Sequence, residues 1–417
     1  MLARANCHLP GRSRHRHVKR EGEGRAYICQ ARLLRERVTN ALTNMTCSCT
    51  AIKQRALLAI ISCISVIVGY YIWFKAVSEQ PKPQLNEFGR LNLAQAREAF
   101  GFPDRSLLMC QGPKCLRFER FLMTLIFVFK DMVDGDAGRG GFMLVLSMLL
   151  PIVLFMCVQA VKPETHFLQR GFIVTLVMML GQGICIGASV PLVYVPLFAL
   201  VRGLTLHKTY PERPFGRYAP SVITPLVSSI KILSLITVFF PRDHWMWPHV
   251  NVVFQFSPML LLGLSLYLVV IGRQKSVTTT KISEMYENNL IFSMLMYWVG
   301  LYLLKPTIGR VFRGEDTGLT DGQKLILWDS IGLLLTMILL VALDAVADYQ
   351  LKFEQTRALH NGSLKKWIVG TIRSIFMGLL FGPGAVLDLY YAGREDVVTP
   401  VHSFIPQDID KKKKKRT

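Results

Sequence analysis

Four carboxylates stand inside or at the edge of strongly apolar sequence: Glu164, Asp329, Asp344 and Asp388. Ionisable groups in such surroundings are costly and by default mark a functional interior rather than a lipid-facing surface. Desolvation in an apolar setting raises the pKa of a carboxylic acid, so such a group can stay neutral and act as a proton donor. Asp329 and Asp344 lie about fifteen residues apart, roughly 22 Å along a helix, so one helix cannot join them into a paired site. Asp344 and Asp348, four apart, share a helix face. Glu164 follows Pro163, which fixes the exit from an apolar run and can aim the carboxylate back at the protein; the alternative is an ordinary solvated turn. Gln182 sits between Gly181 and Gly183, where its amide needs a partner, and Gly382-Pro383-Gly384 bends the chain a turn before Asp388.

The elements that must hold these residues are membrane spans. Half of the 417 residues are apolar, 51% by composition, and they fall in long blocks instead of alternating. Runs of about 18 or more apolar residues are what a bilayer-crossing helix needs. The fold class is therefore all-α, a polytopic transmembrane helical bundle of about eight spans. Residues 1–55 form a basic segment with little apolar periodicity, expected to be disordered and cytosolic. Residues 56–74 form the first span. Residues 75–141 are a polar loop whose short apolar piece, Phe121 to Phe129, suits an interfacial or re-entrant helix. Residues 142–396 hold seven more spans, and residues 397–417 are a basic cytosolic tail. The third span, Phe172 to Val201, contains Gly181, Gly183, Pro191 and Pro196, which imply a kink or half-helix with neighbours covering the freed backbone groups.

The net charge of +21 is concentrated at the two ends and in short loops. That is the distribution of cytosolic segments, and no base-reading motif accompanies it, so nucleic acid is excluded as a partner. An even number of spans puts both basic termini in the cytosol and the sequon Asn361-Gly-Ser363 in the lumen, where glycosylation is possible. The loop with Arg202, Lys208, Arg213 and Arg217 conflicts with this, because the same count places it in the lumen. Lysines third and fourth from the carboxyl end, Lys414 and Lys415, match a dilysine signal for retrieval to the endoplasmic reticulum; a lipid-held polybasic tail is the alternative. Cys110 and Cys115 flank a hydrophilic stretch and either close a short disulfide in an oxidising lumen or stay as two thiols.

There is no phosphate-binding loop, no His-Glu-x-x-His helix and no Gly-x-Ser-x-Gly elbow. Asp344-x-x-x-Asp348 matches half of the aspartate-rich motif of intramembrane prenyltransferases, but the other acids of that motif are absent, so neither a metal nor a cofactor is expected. With acids at the span rims, Lys162-Pro-Glu164 and Phe381-Gly-Pro-Gly384 followed by Gly393-Arg-Glu-Asp396, the chain resembles the fungal membrane-bound terpene cyclases of the ascofuranone and macrophorin type. The resemblance runs from about Phe142 to Asp396 and does not extend to the long basic amino-terminal segment. It implies proton-initiated cyclisation of a farnesyl or epoxyfarnesyl chain, often attached to an aromatic polyketide, in meroterpenoid biosynthesis. The expected catalytic residues are Glu164, Asp344, Asp329 and Asp388, with aromatic faces stabilising the cation. The partners are then a prenylated small molecule and the lipid bilayer. Two other readings fit the same acids: a transporter or lipid-binding protein, and a structural subunit of an endoplasmic-reticulum membrane complex.

Overall fold

The computed structural model describes residues 52–76, 91–98, 100, 107, 112–162, 167–205, 218–270, 282–347 and 364–398. All regular elements among them are helical. Seven helices are long and apolar enough to cross a membrane, which makes this an integral membrane protein. The described helices are, in chain order, α1 (Ile52–Ala76), α2 (Leu93–Glu98), α3 (Pro113–Met132), α4 (Gly135–Val161), α5 (Gly171–Ile184), α6 (Ile186–Leu204), α7 (Ala219–Phe239), α8 (Trp247–Tyr267), α9 (Ile282–Phe312), α10 (Asp321–Ala347), α11 (Leu364–Phe381) and α12 (Pro383–Val398), of which α1, α4 and α6 to α10 are the seven.

Helix α4 is the central post. It is apolar on all sides and buried along nearly its whole length, as expected of a helix that meets protein rather than lipid. Helices α9, α10, α12, α7 and α5 pack around it. By contrast, α1 and α9 keep large apolar side chains exposed, among them Ile67, Tyr70, Trp298 and Tyr302. In a bilayer those surfaces face lipid.

Two clusters of contacts fix the two ends of the bundle. At one end, Asp134 pairs with Arg242 just beyond α7, Gly322 N–H at the start of α10 donates to Asp131 at 2.9 Å, and Gln323 donates to the Asp134 carbonyl at 2.8 Å. At the other, Lys162 after α4 pairs with Glu395 of α12 at 2.9 Å, while Arg202 of α6 and Arg394 of α12 both approach Asp344 of α10. Helices α4, α8 and α10 therefore run from the Asp134 end to the Lys162 end, and α7 and α9 run back.

The third span of the sequence reading is not one crossing. The chain turns sharply at Cys185, whose φ of 84° is rare for a residue with a side chain. The turn Phe167–Gln169 leading into α5 packs against the far end of α6, so α5 and α6 form an antiparallel hairpin that enters and leaves at the Lys162 end. Pro191 sits in a π-helical turn, Val190–Tyr194, within α6. Arg202, near the end of α6, thus lies at the same end of the bundle as Lys162 and Asp344; residues 206–217 are outside the described residues. Every crossing from α7 to α10 is inverted relative to the simple count, and α10 delivers the chain to the Lys162 end. Asn361 itself lies outside the described residues.

The eighth span is likewise broken. Gly382 takes φ 93°, a conformation glycine adopts without strain, and separates α11 from α12. Helix α12 starts beside Tyr297 and Ser147, midway along α9 and α4, and ends at the Lys162 end. Helix α11 keeps Ile375, Phe376, Leu379 and Leu380 exposed. The apolar piece at Phe121 to Phe129 belongs to a longer amphipathic helix, α3, which buries Leu122, Met123, Ile126 and Phe129 against α10 and α8 at the Asp134 end. Cys115 on α3 is disulfide-bonded, and its partner is not among the described residues. Helix α9 runs for 31 residues, from Ile282 to Phe312.

Candidate functional site

The tip of the α5–α6 hairpin meets α10 at Asp329. The contact requires small residues: a Cβ on Gly332 would come within 2.4 Å of the Gly187 carbonyl oxygen, and one on Gly187 within 2.4 Å of the Asp329 backbone. That closeness lets Gly187 N–H donate to Asp329 Oδ1, while the Cys185 thiol donates to the same oxygen at 2.9 Å. The bland role of Asp329 is to cap the amino-terminal end of α6, whose first N–H groups have no intrahelical acceptors. It also borders open space.

A cavity of about 290 Å³ lies beside this carboxyl group. Helices α1, α3, α4, α5, α7, α8 and α10 all contribute to it. Its wall is mainly apolar and aromatic, with Trp73, Phe129, Phe142 and Phe254 and the aliphatic side chains of α4. Phe129 packs against Phe142 and Phe254 with ring centroids 5.5 and 5.2 Å apart, so α3 forms a lid of interlocked rings. Polar atoms enter from Asp329, Cys185, Gln182, Ser234, Gln255 and Ser257. Among the described residues, Asp329 is the one carboxylate in the lining, and no lysine, arginine or histidine joins it. This volume lies at the lower edge of small-molecule sites, which run from about 300 to 1,000 Å³.

The other expected acids lie elsewhere. Asp388, on α12, accepts from Asn289 at 2.8 and 3.0 Å and from Ser293 at 2.9 Å, both on α9. Lys231, midway along α7, places its ammonium over the Phe292 ring, 4.8 Å from the centroid. A lysine in the middle of a span is expensive, and its place inside an apolar run is a signal that the sequence itself carries.

Asp344 belongs to the ionic cluster at the Lys162 end. Arg394 contacts it directly, Arg202 lies 3.9 Å away, and the Tyr390 hydroxyl donates to it at 3.3 Å. Its neighbour Glu395 takes Lys162 at 2.9 Å and Arg394 at 2.6 Å. Burial pushes the Lys162 ammonium below the usual lysine range and the Glu395 carboxylate pulls it back. Beneath this cluster, Phe155 stacks on Tyr391 at 4.4 Å and Arg202 lies over Phe198 at 5.1 Å. An acid bound to two guanidinium groups is a structural tie. Glu164 lies outside the described residues.

The structure therefore brings none of Asp329, Asp344 and Asp388 together: each is buried among different partners. Among the described residues, no three His, Cys, Asp or Glu side chains gather in a group able to hold a metal ion. What sequence reasoning missed at the Asp329 site is Cys185 and Gln255, since only the hairpin and the packing of α8 bring them to the cavity. Comparisons with protein families, curated proteins and solved structures find no match to this chain.

Proposed function

We propose that this protein is a membrane-embedded cyclase of a farnesyl or epoxyfarnesyl chain, with Asp329 as the initiating acid. The observation that carries the reading is the cavity: one carboxyl group faces an aromatic and aliphatic enclosure large enough for a small apolar chain. In this scheme the Asp329 O–H protonates the epoxide oxygen or an alkene, and the C–O or π electrons leave a tertiary carbocation. Gly187 N–H and the Cys185 thiol hold the carboxylate left behind. Ring closures move the cation along the chain past the faces of Trp73, Phe129, Phe142 and Phe254. Loss of a proton from the final cation to the carboxylate restores the acid, so the overall reaction is an isomerisation.

The Lys162 end is assigned to the cytosol. Helix ends on that side flank segments 206–217 and 271–281, which carry Lys208, Arg213, Arg217, Arg273, Lys275 and Lys281 in the sequence. A disulfide at Cys115 on the other end suits an oxidising lumen. With residence in the endoplasmic reticulum, both termini are cytosolic, and Asn361 follows a helix that ends on the cytosolic side.

The test is activity of membranes carrying the full chain on an epoxyfarnesyl aromatic substrate. Asp329→Asn keeps the shape and removes the acid, and its cyclisation should fall by about a hundred- to ten-thousand-fold. A variant that inserts normally and still cyclises at the native rate removes Asp329 from the mechanism. One observation favours a transport or lipid-binding reading instead: two helices are broken at mid-bundle, at Cys185 and Gly382, as in proteins with a midplane substrate site. Substrate-dependent flux into sealed vesicles, without conversion, would decide for it.

A further inference from the structure

Gln255 borders the same cavity from α8, a different helix from the one that carries Asp329. It is only 6% exposed, and its side-chain Oε1 has no hydrogen-bond partner among the described residues. Its Nε2 makes one long bond, 3.4 Å, to Oδ1 of the fully buried Asn251, whose own Nδ2 is also unmatched. Exchanging oxygen and nitrogen in both amides leaves the same count, one bond between them and one unmatched atom on each. Burying an amide with spare hydrogen-bonding capacity is costly unless something completes it. The nearby serines do not: the Ser234 hydroxyl donates to the Ile230 carbonyl of its own helix at 2.8 Å.

We infer that Gln255 binds a hydroxyl group of the molecule that occupies the Asp329 cavity, fixing that molecule's polar end against α8 while its apolar chain lies along the aromatic wall. The inference rests on the reading of this cavity as the substrate site. A hydroxyl both donates and accepts, so it satisfies either orientation of the amide. An anionic head such as a carboxylate or diphosphate is disfavoured, because the described residues of the lining include no cation. Asp329 and Gln255 then divide the work: the acid addresses the reacting end of the chain, and the amide sets how far the chain enters. Gln255 is on this argument a positioning and specificity residue.

The experiment compares farnesol with β-farnesene, two chains of the same length of which the first bears a hydroxyl, for binding to the purified full chain in nanodiscs. Wild type should prefer farnesol by about ten-fold, the worth of one buried hydrogen bond. Gln255→Leu and the unbranched Gln255→Met should abolish the preference by weakening farnesol and leaving β-farnesene unchanged. Asp329→Asn, on the other wall, should keep it. Equal binding of the two chains to wild type overturns the inference and means that water alone completes the amide. So does a preference that survives in the Gln255 variants, or an equal loss for both chains, which would make Gln255 a packing residue. Cyclase turnover is read separately: a preserved hydroxyl preference without turnover removes the cyclase reading, and turnover without a preference removes the role of Gln255.

Discussion

Replacing Arg394 by methionine tests whether the ionic cluster at the Lys162 end ties the broken helix α12 to the bundle. The Arg394 side chain is 7% exposed, and its partners Asp344 and Glu395 are fully buried. Methionine keeps most of the volume and removes the charge, so the change strands Asp344 with Arg202 at 3.9 Å and the Tyr390 hydroxyl at 3.3 Å. Glu395 retains Lys162 at 2.9 Å. Breaking a buried pair by removing one partner costs about 3–5 kcal/mol, and the surviving contacts place this case near the lower end, about 3 kcal/mol. That is more than a hundred-fold in the folding equilibrium. Denaturant unfolding of the purified protein in mixed micelles, followed by tryptophan fluorescence, measures it. The control is Arg313→Met, whose pairing with Glu315 at 2.6 Å is exposed to solvent on both sides and should have no measurable effect. If the two variants are equally stable, the cluster is solvated in the membrane protein and the tie does not exist. A double change, Arg394→Met with Asp344→Leu, should recover much of the loss, because it removes the stranded charge.

Four further outcomes are expected. Gly332→Val should push the Gly187 carbonyl away from α10, cost about 1–3 kcal/mol, and make Cys185 react faster with a maleimide as its bond to Asp329 is lost; unchanged reactivity would mean the hairpin tip is not held there. In sealed microsomes, single cysteines at Arg170 and Arg313 should label from opposite sides with a membrane-impermeant maleimide, and labelling from the same side would refute the two-ended arrangement. Mass mapping without reduction should recover Cys115 in a cross-link to Cys110, while Asn361 should remain unglycosylated; a glycan at Asn361 would place the end of α10 in the lumen. Lys414→Ser with Lys415→Ser should release the protein from the endoplasmic reticulum, and unchanged localisation would assign the tail to electrostatic lipid binding only.

The helical class and the positions of most spans were legible in the sequence, because a bilayer leaves a chain few options. Every backbone polar group must be satisfied within the segment, so an apolar run such as 142–161 can only be a helix, and its length reports its crossing. The kinks at Gly181 to Pro196 and at Gly382-Pro383-Gly384 were legible for the same reason, as places where the backbone cannot continue a straight helix. What the sequence did not contain is the direction taken after the break. A run of thirty apolar residues reads the same whether the chain bends and goes on or turns at Cys185 and comes back. The choice is made by contacts distant in sequence, Gly187 against Gly332 and Arg202 against Asp344, and it inverts every later crossing. The carboxylates show the same division. Hydropathy marks Asp329, Asp344 and Asp388 alike as buried acids, because it records the surroundings of each along the chain. Only packing gives one a thiol and an open cavity, one two arginines, and one an asparagine and a serine, because those partners come from other helices and their chemistry decides what each acid can do.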